Sequence, residues 1–219
     1  MNKEKDIIKD YTTLSDWSYE VDPAKDGKYV QEIVIALKDT MRKNDLQYLT
    51  APQIGYNRRI FCLRFGKNDY RTFINPLIEN NSGITLSRED CASIPDKEYM
   101  IPRFSKIKFF FTTPLNKVES ATLVGRAAYV FQHAMDHLNG MLVSDIGLEI
   151  DELFDQATDE ERQEVIQMYI ESLDLQMKEL QQVVSEDKDL SDINNAIDFI
   201  KSVKDGSTVL DRSKDKGTE

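Results

Sequence analysis

Residues 132–140 read Gln132-His133-Ala134-Met135-Asp136-His137-Leu138-Asn139-Gly140 and hold both histidines of the chain. Around them Ala127, Ala128, Val130, Phe131, Met135 and Leu138 recur at helical spacing between Leu123 and Leu142, and Gly140 marks the predicted end of that helix. Positions four apart on a helix differ in direction by about 40°, so both imidazoles can face one metal ion. Two histidines with no ligand are the plainer alternative. A metal held by two imidazoles needs a further protein donor. Cys91 lies in the polar run Ser87-Arg88-Glu89-Asp90-Cys91-Ala92-Ser93-Ile94-Pro95, where a thiol is an unusual core residue and a thiolate would complete a Cys-His-His set with one position open. Cys62, between Phe61 and Leu63, reads instead as a small buried apolar side chain.

Outward from this centre, Val30, Ile33, Val34, Leu37 and Met41 predict an amphipathic helix from Gly27 that ends before Asn44. Arg59 to Phe65, Thr72 to Glu79 and Ile107 to Thr112 are rich in β-branched and aromatic residues and predict short strands, the last buried on both faces. Residues 1–22 show no period and are expected to wrap the surface. The class is α+β. Further on, Thr158 and Glu161 fit a capping box, and Ile166, Ile170, Leu173, Met177, Leu180 and Val184 form a heptad seam. Leu190, Ile193, Ile197 and Ile200 predict a second helix stopped by Gly206, hence an αα-hairpin. The expected units are a domain over 1–147, an acidic helical extension over 148–206 and a frayed end over 207–219.

The net charge of −11 belongs to the tail, because residues 1–145 carry 20 Lys and Arg against 19 Asp and Glu whereas 146–219 carry 8 against 20. That imbalance argues against nonspecific binding to nucleic acid or to an anionic membrane. It fits a solvated helical face, or a surface through which the 158–206 helices meet a basic protein partner or a second copy. No apolar run is long enough to cross a bilayer, and two cysteines make no disulfide framework, so a cytoplasmic protein is expected.

Three separated segments carry a resemblance to a known family. They are Leu49-Thr50-Ala51-Pro52-Gln53-Ile54-Gly55, Glu89-Asp90-Cys91-Ala92-Ser93 and the 132–140 run, with Ile74-Asn75-Pro76 and Pro102-Arg103 between them. In this order they resemble the peptide deformylases, metal amidases that remove the formyl group from the initiator methionine of nascent bacterial proteins. The likeness spans roughly residues 5–147. It implies a deformylase-like fold, with short antiparallel strands around a metal-bearing helix plus the C-terminal helical extension. It also implies one divalent ion, zinc or iron with nickel or cobalt as alternatives, held by Cys91, His133 and His137. Gln53 and the backbone N–H of Ala92 would hold the formyl oxygen, and Arg103 would help position a peptide N-terminus.

The chain departs from the family pattern in three places. The residue after the first histidine is a glutamate in the family; it takes a proton from the attacking water and passes it to the leaving nitrogen. Here it is Ala134, and loss of a general acid/base costs about 10²–10⁴ in rate. Asp136 points about 160° away on the helix and is no replacement. Leu46 and Tyr48 stand where the family has glycines, which puts a ring at the peptide groove. Asp90 and Ala92 flank the cysteine in place of glycine and leucine. The favoured expectation is a metal-binding deformylase-like protein, impaired or inactive as a deformylase, that acts through binding or assembly; the occurrence of such genes in large phages suggests a phage structural or virion role. The alternative is an active deformylase in which metal-bound hydroxide suffices or Glu89, Asp90 or a tail carboxylate supplies the base. A third reading is a module that binds an unformylated N-terminus.

Overall fold

The computed structural model describes residues 3–184 and 209–210 of the chain. In chain order the elements are α1 (Tyr11–Leu14), α2 (Gly27–Lys43), β1 (Tyr48–Thr50), a 3-10 turn (Pro52–Ile54), β2 (Ile60–Arg64), β3 (Tyr70–Cys91), β4 (Ile94–Thr112), β5 (Val118–Val124), α3 (Arg126–Leu138), α4 (Val143–Ile146), β6 (Leu148–Ile150), α5 (Glu152–Gln156), α6 (Asp159–Val184) and β7 (Val209–Leu210). Strands β1 to β5 lie side by side in sequence order, with β6 on β4 and β7 on β3, and every pairing but the last is antiparallel.

Helix α2 forms where the apolar spacing places it and buries Val30, Ile33, Leu37 and Met41 against Leu49, Ile60, Cys62 and Ile74. Cys62 is fully buried, as its apolar flanks imply. Helix α3 packs on the opposite side of β2, where Phe131 meets Phe61 and Phe109 at ring-centroid distances of 5.0 and 4.0 Å. The N-terminal residues run over the surface between them: Lys5 N–H donates to Thr40 Oγ1 and Ile8 N–H to the Gln53 carbonyl. Gly140 ends α3 with φ +68°, and a Cβ there would strike the Ser15 carbonyl. Beside it the Ser18 N–H donates to the Leu138 carbonyl at 3.0 Å.

Two strand expectations are corrected. The segments around 72–79 and 107–112 are ends of much longer strands, 22 and 19 residues, that form one hairpin with irregular register at Ile74/Leu77, Ile78/Asn80 and Asp90/Cys91. Nor is Ile107 to Thr112 buried on both faces: Ile107 and Phe109 are buried, but Lys108 between them is exposed. The alternation is that of a strand with one wet face.

Past the sheet, the Thr158–Glu161 capping box forms, with Glu161 N–H donating to Thr158 Oγ1 at 3.2 Å and Thr158 N–H to Glu161 Oε2 at 2.8 Å. The first turns of α6 fold back on the domain through buried Ile166 and through Tyr169, whose hydroxyl donates to the Ile146 carbonyl at 2.6 Å. The second predicted helix lies outside the described residues. Val209 and Leu210, within the end expected to fray, pair in parallel with Thr85 and Leu86. No helix among the described residues is long and apolar enough to cross a membrane.

Candidate metal centre

The β3–β4 hairpin turns over Ala92 and Ser93, with Cys91 paired to Ile94, so the cysteine sits at the tip of a long ribbon. Helix α3 brings His133 and His137 to that tip on one face. The donor atoms of Cys91, His133 and His137 lie within 4.8 Å of one another, and Cys91 Sγ is 3.3 Å from His137 Nε2. All three residues are buried.

Glu89 and Arg103 hold this arrangement from below. Nδ1 of His133 lies 2.9 Å from Glu89 Oε2, which leaves Nε2 facing the cysteine, as in metal sites where a carboxylate orients a ligand imidazole. Arg103 on β4 donates from Nε and Nη2 to the two Glu89 oxygens, each at 2.8 Å, and from Nη1 to Asp136 at 2.6 Å. One guanidinium thereby ties the strand that carries Cys91 to the helix that carries both histidines. This corrects the expected role of Arg103 at a peptide. It is 4 % exposed, its three donor nitrogens are all engaged, and it lies under the centre rather than on the cleft wall.

The charges suit a cation. Burial alone would raise the Glu89 carboxyl, but Arg103 and His133 hold it well below the usual carboxylate range. Burial would likewise lower Arg103, yet Asp136 and Glu89 keep it above its ordinary value. Burial opposes ionisation of Cys91 too, but contacts with His133 and His137 bring its thiol down to about 5. The same contacts outweigh burial at His133 and raise it to about 9. A protonated His133 and Arg103 thus face the Cys91 thiolate and the Glu89 carboxylate. A divalent ion among one thiolate and two imidazoles would take the place of the His133 proton, with donors of the right softness. His137 Nδ1 is buried with no hydrogen-bond partner among the described residues, so a ligand on Nε2 would be what orients this ring.

Gln53 stands beside the thiol in the 3-10 turn. Its Oε1 accepts from Thr50 N–H and Oγ1 at 3.0 and 3.1 Å, which turns Nε2 towards Ser93 Oγ at 3.1 Å and Cys91 Sγ at 3.9 Å. A cleft of about 260 Å³ opens next to the centre, with Leu46, Tyr48, Asp90, Ala92, Tyr129 and His133 among its lining residues. Tyr48 does more than narrow this cleft, since its hydroxyl reaches 2.7 Å from His133 Nε2. Ala134 is fully buried in the apolar cluster of α3 that Tyr48 flanks. The Glu89–Arg103–Asp136 network, and the reach of Tyr48 into the centre, were not foreseen from the sequence.

The family profile described as polypeptide deformylase matches residues 7–150. The chain belongs to the polypeptide deformylase family. Among curated relatives, the peptide deformylase of Thermotoga petrophila is 33% identical over 117 residues, covering 53% of this chain and 71% of the relative. The peptide deformylase of Dictyoglomus turgidum is also 33% identical, over 55% of this chain and 78% of its own length. Among solved structures, one described as a probable peptide deformylase from Synechococcus phage S-SSM7 superposes with a TM-score of 0.59 at 31% identity, over 65% of this chain and 97% of that one. The peptide deformylase family therefore accounts for the domain, and a single divalent ion is its usual cofactor.

Proposed function

We propose that this chain is a metal-binding peptide deformylase-family protein that receives a peptide N-terminus in the cleft beside Tyr48 but hydrolyses a formyl group poorly, working in the cytoplasm of a bacterium or of a phage-infected host. The observation that carries this reading is Ala134: the position of the family's proton carrier is a methyl group in an apolar cluster. The nearby carboxylates are already committed, Glu89 to Arg103 and His133, and Asp136 to Arg103.

A divalent ion held by Cys91, His133 and His137 would act as a Lewis acid on the formyl carbonyl. Gln53 Nε2, held by the Thr50 contacts to its oxygen, would donate to the formyl oxygen together with the Ala92 N–H. Neither group can take a proton from water and return it to the leaving nitrogen. Loss of that transfer costs about 10²–10⁴ in rate.

A second reading, an active deformylase, has Asp90 in its favour, because this exposed carboxylate lines the cleft beside the cysteine. The two readings separate in one assay: formate release from a formyl-Met peptide by iron(II)- or zinc-loaded full-length protein, beside Asp90→Asn and the double variant Ala134→Glu/Tyr48→Gly. A slow unaltered protein, unchanged by Asp90→Asn and accelerated by the double substitution, supports the impaired reading. A robust rate in the unaltered protein, abolished by Asp90→Asn, overturns it.

A further inference from the structure

Tyr48 opens β1 with its ring against the His133 imidazole, centroids 4.6 Å apart. Its hydroxyl lies 2.7 Å from His133 Nε2 and 3.4 Å from the Asp90 carbonyl oxygen. With Nδ1 of His133 engaged by Glu89, Nε2 is the nitrogen left to a cation. Ligand atoms around one four-coordinate ion, each bonded at about 2.0–2.3 Å, stand only about 3.3–3.7 Å from one another. A proton carrier serving a water on that ion stands one hydrogen bond farther out. The Tyr48 hydroxyl, hydrogen-bonded to Nε2 at 2.7 Å, stands inside that spacing, so a shift of under about 1 Å would set it at a neighbouring vertex of the coordination shell.

This inference rests on the metal centre described above. We propose that Tyr48 is the fourth protein ligand, its phenolic oxygen filling the position that a Cys91–His133–His137 set leaves open. As the ion binds, the Tyr48 O–H bond breaks, the oxygen donates its electron pair to the ion and the proton passes to bulk water. The centre becomes a closed Cys-His-His-Tyr set, and a formyl oxygen would reach the ion only by displacing the phenolate, which agrees with the poor hydrolysis proposed above. Ala134 agrees with this arrangement. A glutamate there would serve a water in that position, and with the position filled by a side chain the carboxylate has no task. The two departures from the family pattern thus become one change, in which bulk and an oxygen are added from β1 and a carboxylate is removed from α3.

The test uses full-length protein loaded with cobalt(II), azide as the probe of an open position, and Tyr48→Phe, which removes one oxygen and keeps the ring. Cobalt(II) should bind one to one in both proteins. Azide should shift the visible spectrum of Tyr48→Phe and leave that of the unaltered protein unchanged. A second measurement needs no variant: the unaltered protein loaded directly with iron(III) should show the visible charge-transfer band of a coordinated phenolate. An azide shift in the unaltered protein equal to that of Tyr48→Phe, or absence of the phenolate band, overturns the tyrosine ligand while leaving the three-residue centre standing. Failure of the unaltered protein to bind cobalt(II) at all overturns both.

Discussion

Arg103 grips the Glu89 carboxylate through two parallel hydrogen bonds of 2.8 Å each, and Glu89 in turn contacts His133 Nδ1 at 2.9 Å. The guanidinium thus reaches the metal centre through an intermediate and touches no donor atom of it. Its other hand holds Asp136, one residue before His137.

Removing Arg103 leaves the buried Glu89 and the partly buried Asp136 carboxylates without their cation. Arg103→Ala should cost about 3–5 kcal/mol of stability, as broken buried ion pairs do. It should also weaken metal binding about 10–100-fold, because the His133 ring loses its orientation. Arg103→Lys should rescue little, since an ammonium cannot reproduce the paired fork. Thermal melts and competition with a chelator measure the two effects separately.

Restoring glutamate at 134 alone should fail. The position is fully buried in an apolar cluster flanked by Tyr48, so Ala134→Glu should cost about 3 kcal/mol or more through crowding and burial of a carboxylate. Adding Tyr48→Gly should recover part of that loss and raise formate release. Melting temperatures of the single and double variants give the coupling between the sites.

The two thiols should differ in reactivity. Cys62 is fully buried beside Thr72, and burial pushes its thiol up to about 11, so iodoacetamide at pH 8 should leave it unmodified in the folded protein. Cys91 should be the residue alkylated after chelation and protected by added zinc. Peptide mapping of the modified protein distinguishes them.

Much of this was legible in the sequence. The α2 and α3 faces follow from periodicity, Cys62 from its apolar flanks, the two candidate imidazole donors from their spacing, and Cys91 from its polar flanks. The long hairpin was not legible, because Asn80, Asn81, Ser82 and Gly83, and then Arg88, Glu89 and Asp90, are poor strand formers held by pairing with β4. Arg103 was misread because nothing local in a sequence tells a guanidinium that meets a ligand from one that meets Glu89 and Asp136 across the fold. Tyr48 could be recognised as bulk where glycine is usual, but where its hydroxyl goes depends on β1 lying beside α3.

A smaller contact should set an acid limb. Arg88 bonds Asp155 through two nitrogens at 2.8 and 2.9 Å, and this interaction holds the Asp155 carboxyl below its ordinary value. A carboxyl depressed in the folded state adds stability above its unfolded pKa, and that stability is lost as the pH falls through the folded one. Both side chains are partly exposed, so the contribution is at most about 1 kcal/mol. Asp155→Asn should lower the melting temperature slightly at pH 7 and not at pH 2, as read by calorimetry.

The slot under Gly140 bears on how the protein is made. Ser15 and Ser18 rest on the end of α3, so while Lys5 and Ile8 can dock on Thr40 and Gln53 early, the 15–18 stretch lacks these contacts until residues 138–140 exist. A ribosome extends the chain by more than a hundred residues between the two, and through that interval this part of the arm is incompletely seated. Closure of the domain is accordingly a late event, completed when the last helical turn before Gly140 leaves the exit tunnel.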